Sequence, residues 1–218
     1  MSSASRCCWG CWAGIRIRRT EIAGMFSSLG PGVRGLLLAC IAIYGVETLR
    51  PGMFAGLALW PVSAGFQPWQ LLTYAFLHGG PLHLSFNMIG LVGFGRELEM
   101  WWGTRRFLQF YLACVLSAAL IQLAVTASSG SLLPTVGASG GLYGLLLGFA
   151  VMFPKRRVLL LIPPIPMPAW VFALLFAVLE LVLGVTGTAS GIAHFAHLGG
   201  MLGGGWMLWR WARHAPRE

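Results

Sequence analysis

Six stretches of near-continuous apolar sequence, separated by short polar or proline-bearing segments, organise this chain. They run over about 33–49, 82–100, 106–127, 137–153, 168–186 and 192–211. Each approaches the ~20 residues that a helix needs to cross a ~30 Å hydrocarbon layer. Pro81, Pro154 and Pro168 border three of them, where a missing backbone N–H costs little. The pattern predicts an all-α polytopic membrane protein with six transmembrane helices, 33–211 forming the membrane domain.

Composition agrees with that solvent. Of 218 residues, 57% are hydrophobic and 10% charged, and all six acids are glutamate. Such a chain has too little polar side chain to cover itself in water, and an enzyme that needs aspartate is excluded. The net charge of +9 has a topological explanation rather than a nucleic-acid one. With six spans both termini share a side, and fourteen of the fifteen basic residues fall on it; only Arg50 lies opposite. The positive-inside rule then places both termini in the cytoplasm. Trp101, Trp102, Trp170, Trp206, Trp209 and Trp211 gather at the same ends, as an interfacial belt does.

Residues 1–32 form a cytoplasmic N-terminal segment and 212–218 a cytoplasmic tail. Within the former, 1–24 is Arg- and Ser-rich without useful periodicity. It reads as disordered, as a loose match to a transit peptide, or as an upstream extension of a frame that starts at Met25. Cys7, Cys8 and Cys11 face a reducing compartment in this topology, so no disulfide is expected, while Cys40 and Cys114 read as small apolar residues. A cytoplasmic cluster of Glu99 with Arg96 and Arg105 is expected.

The uncommon polar side chains collect at one depth. Spans two, four and six all run inward, and their first turns carry His83 with Asn87, Ser139 with Tyr143 one turn deeper, and His194 with His197. Intramembrane polar groups are costly and usually functional. Small residues recur at Gly140, Gly144 and Gly148 and again at Gly199, Gly200, Gly203 and Gly204, a spacing that lets helix backbones approach closely in lipid. Spans four and six are therefore expected to be neighbours, with Ser139 facing His197.

A serine becomes a useful nucleophile when a neutral histidine takes its proton. Without aspartate the pair is read as a dyad. The developing oxyanion needs fixed donors: the Ser139 N–H at a helix start, helped by the helix dipole, and the side chains of His83 and Asn87. Tyr143 is placed to pack on the imidazole. For Glu180, deep in span five, a structural role is preferred to one in the site, and His194 is left unassigned. Residues 137–141 also spell G-x-S-x-G, but that elbow requires a strand and a parallel sheet, and no βαβ pattern surrounds it.

Gly-Ala-Ser-Gly at 137–140 with Tyr143, His83-x-x-x-Asn87 after FLHGG, and Ala-His-Leu-Gly-Gly at 196–200 followed by Gly204 together resemble the rhomboid intramembrane serine proteases. The resemblance covers about 33–211. It implies a compact six-helix bundle, Ser139 as nucleophile, His197 as base, and His83, Asn87 and the Ser139 N–H as oxyanion hole. It further implies Gly137 beside the scissile carbonyl and Tyr143 supporting the histidine. Many rhomboids carry Trp-Arg in the first outer loop, whereas Trp69-Gln70 stands here, which leaves loop anchoring open. The apolar 50–81 loop resembles the family's half-embedded loop.

The expected activity is cleavage of transmembrane protein substrates near the outer face, in a bacterial plasma membrane, by a monomer or weak oligomer. The expected surroundings are membrane lipid; no cofactor, metal or nucleic acid is expected. The alternatives are a catalytically inactive rhomboid-like binding protein and a histidine-lined metal-ion transporter built on His78, His83, His194 and His197. Against the latter stands the expectation of no carboxylate beside those histidines.

Overall fold

The computed structural model describes residues 28–160, 163–188 and 193–214. The expectations for 1–24, the Met25 start and Cys7, Cys8 and Cys11 lie outside the described residues. The fold is mostly helical. We label its helices α1 (Pro31–Leu49), α2 (Gln70–Thr73), α3 (Pro81–Gly90), α4 (Arg96–Ser129), α5 (Ser139–Met152), α6 (Ala169–Thr186) and α7 (His194–Arg213). A π-helical turn, Leu91–Gly95, joins α3 to α4. Among the described residues, three helical stretches are long and apolar enough to cross a membrane: Pro31–Leu49, Pro81–Ser129 and Ala169–Thr186.

Local sequence accounts for the ends of these elements. Pro31 and Pro81 occupy the first turns of α1 and α3, where the fixed φ suits a helix start. The stretch Pro81–Ser129 is 49 residues long and breaks at Gly103, whose φ of 75° and ψ of 158° are not helical. The turn expected at 101–105 is thus reduced to a single glycine, since a residue without Cβ adopts that conformation at little cost.

Glu99 departs from expectation. Instead of pairing with Arg96 and Arg105, its carboxylate accepts from the backbone N–H groups of Gly32 and Val33, at 2.7 and 2.8 Å, and from the Thr104 hydroxyl at 2.7 Å. The start of α1 carries no side-chain cap of its own, and orphan N–H groups there attract an anion. Glu99 is buried, beyond the solvated guanidinium groups. The exposed pair on this part of α4 is Glu97 with Arg156, at 3.0 Å.

A second departure, from the all-α expectation, lies between α5 and α6. Strands β1 (Arg157–Leu160) and β2 (Ile165–Pro168) pair antiparallel there, Arg157 opposite Pro168 and Leu160 opposite Ile165. Alternate residues of β1 are partly buried, so a period-two pattern is hidden in a run that reads as uniformly apolar.

The core sits around α5, nine of whose 14 residues are buried. Its glycine face is closed by two neighbours. A Cβ on Gly144 would strike Cys114 of α4, and one on Gly200 would strike the Gly140 carbonyl. Gly199 and Gly203 abut Ala118 and Ser117, so α7 packs into the angle between α4 and α5. By contrast only Ala169, Phe172, Ala173 and Glu180 are buried on the 18-residue α6.

Candidate active site

The loop before α5 is held from below. The Tyr74 hydroxyl donates to the Val115 carbonyl at 2.9 Å, and the Tyr74 carbonyl accepts from Gly137 N–H at 3.0 Å. Gly137 has φ of 129°, a region that L side chains rarely adopt. A Cβ there would also lie 2.8 Å from His83 Nε2. Glycine is therefore required on two counts, and its peptide brings Ser139 to the first position of α5 beside His83.

Ser139 Oγ and His197 Nε2 are 2.7 Å apart. Both lie where small residues allow α5 and α7 to touch, so backbone packing sets the separation. The Tyr143 ring stacks on the imidazole, with centroids 4.3 Å apart and planes inclined by 7°. His83 and Asn87 stand on α3, one turn apart. His83 Nδ1 accepts from Gly79 N–H at 3.3 Å. A neutral imidazole that accepts at Nδ1 carries its proton on Nε2, the nitrogen that faces Gly137. Asn87 is buried and gives one amide hydrogen to the His83 carbonyl at 2.7 Å, which leaves the second hydrogen for another acceptor.

The floor of this site holds groups without an assigned part. Glu180 of α6 accepts from the Tyr143 hydroxyl on Oε1. Its Oε2 lies 2.6 Å from His194 Nδ1 and 3.0 Å from His197 Nδ1. The first contact is a hydrogen bond; the second is close enough for charge pairing but makes no hydrogen bond. All three side chains are buried.

Residues 65–214, more than two-thirds of the chain, match the Rhomboid domain family. The chain belongs to the rhomboid family. It is 34% identical over 147 residues to "Rhomboid protein 1, mitochondrial" of Saccharomyces cerevisiae, covering 64% of this chain and 41% of that protein. It is 29% identical over 136 residues to "Rhomboid protease GluP" of Bacillus subtilis, covering 62% and 24%. "RHOMBOID-like protein 5" of Arabidopsis thaliana is 35% identical over 136 residues, covering 62% and 41%. The chain thus spans less than half the length of these relatives. Rhomboids are in general intramembrane serine proteases, and the apolar helices make this rhomboid an integral membrane protein.

Two expectations about this rhomboid change. Contrary to expectation a carboxylate does stand beside the histidines: Glu180 touches both His194 and His197. One oxygen and two nitrogens of these residues lie within 4.8 Å of one another and are the donor set a metal would use. However, 2.6 Å is a hydrogen-bond length, whereas two ligands of a tetrahedral zinc with bonds near 2.0–2.1 Å sit roughly 3.3 Å apart. Glu180 and His194 are packed as a hydrogen-bonded pair, with His197 Nδ1 beside the same oxygen. His78 and His83 form a separate pair, with ring centroids 5.2 Å apart. Burial, then the neighbouring His83, push the His78 imidazole down to about 4.

The loop-anchoring question raised by Gln70 also has an answer. Gln70 is buried. Its Oε1 accepts from the N–H groups of Trp60 and Gln67 at 3.1 Å each, and its Nε2 donates to the Gly56 carbonyl at 3.1 Å. Thr73 donates to Leu57 O at 2.7 Å. An uncharged amide, which both donates and accepts, thus gathers loop backbone that a guanidinium can only donate to.

Proposed function

We propose that this rhomboid is an intramembrane serine endopeptidase in which Ser139 is the nucleophile and His197 its general base. One observation carries the reading: the 2.7 Å separation of Ser139 Oγ and His197 Nε2 at the start of α5. In the first step Oγ attacks the substrate carbonyl carbon as its proton passes to Nε2. The oxyanion is met by the Ser139 N–H, His83 Nε2–H and the free Asn87 amide hydrogen, with Gly137 beside the scissile carbonyl. Collapse of the tetrahedral intermediate returns the proton from Nε2 to the departing amine and leaves an acyl-serine. Water, activated by the same imidazole, completes hydrolysis.

The substrates in this reading are transmembrane helices of partner proteins, cut near the outer face. Six spans with both termini cytoplasmic put Ser139, His83 and His197 in that leaflet. A helix satisfies its backbone internally, so the segment to be cut must unwind first; Gly, Pro or polar residues there favour cleavage. Access runs past α6. The membrane is a bacterial plasma membrane and the enzyme acts as a monomer or weak oligomer, which fractionation and sizing in mild detergent test directly.

The deciding experiment is cleavage of a single-span substrate by the purified chain in liposomes, alongside Ser139→Ala and His197→Ala. The expected result is cutting by the native chain alone. No cutting by the folded native chain would favour a binding-only role, and cutting that survives Ser139→Ala would displace the nucleophile.

A further inference from the structure

We propose that Glu180 is a positioning residue for His197, so that the chain uses a Ser139–His197–Glu180 relay with no aspartate in its sequence. This rests on the reading of Ser139 and His197 as nucleophile and base.

To accept the serine proton, Nε2 must hold a lone pair, so the ring proton must sit on Nδ1. A group that accepts from Nδ1 selects that tautomer and fixes the ring plane. Among the described residues, Glu180 Oε2 is the carboxylate oxygen that stands beside His197 Nδ1, 3.0 Å away and within a small ring rotation of accepting its proton. When Nε2 takes the proton the ring becomes a cation, and the adjacent carboxylate stabilises it in a poorly screened interior. Glu180 gains no proton in this cycle: the Nδ1 hydrogen stays in place, and the one on Nε2 leaves with the amine.

The surroundings of Glu180 support this part. A lone carboxylate deep among apolar helices is expensive, and this one has two donors, Tyr143 and His194, with the His197 imidazole beside them. Tyr143 holds Oε1, while His194 Nδ1 holds Oε2. The donors come from α5 and α7, the two helices that carry the nucleophile and the base. Tyr143 therefore touches both partners, through its ring face on His197 and its hydroxyl on Glu180. A carboxylate needed only to join α6 to its neighbours would be served by Tyr143 and His194 alone. The approach to His197 Nδ1 adds nothing to that role, whereas it supplies what the base lacks.

The test uses the full chain in liposomes with a single-span substrate, reading kcat, KM, thermal unfolding and the rate at which a fluorophosphonate labels Ser139. An amide offers one acceptor oxygen where the carboxylate offers two, and it carries no charge. Glu180→Gln is therefore expected to lower kcat by roughly 10²-fold and slow labelling in parallel, with KM within about threefold; a fully aligned partner is worth about 10⁴. Glu180→Asp restores the charge and should recover a tenth or more of the lost rate. Native kcat in folded Glu180→Gln, or equal losses in Gln and Asp that follow unfolding temperature, would overturn the proposal. If Glu180→Gln does not fold, His194→Asn, which frees one side of Oε2, is expected to lower kcat at unchanged KM; an unchanged kcat there would overturn it equally. Failure of the underlying reading looks different: the native chain neither cuts nor labels, or Ser139→Ala still cuts.

Discussion

The Tyr143 ring lies flat on the His197 imidazole, 4.3 Å between centroids, while its hydroxyl reaches past the ring to Glu180. One side chain thus carries an apolar contact and a polar one to different members of the site, and two substitutions separate them. Tyr143→Phe keeps the stack and loses one buried hydrogen bond, worth about 0.5–1.5 kcal/mol, so cleavage should slow by roughly 2–10-fold. Tyr143→Ala also frees the imidazole and should slow it further. Steady-state rates of both variants check this order; a Phe variant as slow as Ala would place the whole effect in the hydroxyl.

In the proposed mechanism His83 and Asn87 offer side-chain donors to one developing charge. His83→Ala or Asn87→Ala should each reduce kcat by about 10²–10³ with little change in KM. Because both donors serve a single oxygen, the double variant should lose less than the product of the single losses. Rates for the three variants measured in parallel decide it, and strict multiplicativity would show that the two act separately.

The contact between α5 and α7 predicts a sharp contrast along one helix. A methyl group on Gly200 meets the Gly140 carbonyl, whereas the nearest atom to one on Gly205 is Leu147 Cδ2 at 3.6 Å. Gly200→Ala should cost about 1–3 kcal/mol or more by forcing the backbones apart. It should also lengthen the Ser139–His197 separation and lower the rate. Gly205→Ala should be neutral or stabilising by about 0.5–1 kcal/mol through helix propensity. Thermal unfolding in detergent compares them; similar shifts would mean that the two helices pack less closely than described.

Glu99 holds α1 to α4 through two backbone N–H groups. Glu99→Ala leaves those donors and the Thr104 hydroxyl without their acceptor and should destabilise by about 2–4 kcal/mol. Glu99→Gln, which keeps one oxygen, should cost about half. Substituting Arg96 or Arg105 should have little effect on unfolding, and a large loss from either would restore the ion-cluster expectation.

How far these features are legible in the sequence depends on their range. Glycine at every fourth position of 140–148 marks a close-packing face because the helical period converts spacing into geometry, and the backbones do meet there. Ser139, His83 and His197 stand out as polar groups at helix starts within apolar runs. Glu180 also stands out as a carboxylate in such a run, but its partners lie 14, 17 and 37 residues away on other helices. No local period links α6 to α7, so composition points to a costly group without naming its acceptor or donors. Glu99 is hidden for another reason: a carboxylate next to arginines invites an ion pair, while its actual partners are backbone N–H groups more than 60 residues earlier, and backbone donors leave no trace in residue type. The β1–β2 pairing is masked by prolines and leucines that satisfy a loop or a span equally well.

The shallow seating of α6 gives the site a timing. This helix buries four residues, and one of them is Glu180. In the proposed reading, where substrates enter past α6, an outward swing of that helix takes the carboxylate away from His197 by the same movement. An open gate would then be a disarmed one, the base regaining its partner once α6 has closed behind the incoming chain.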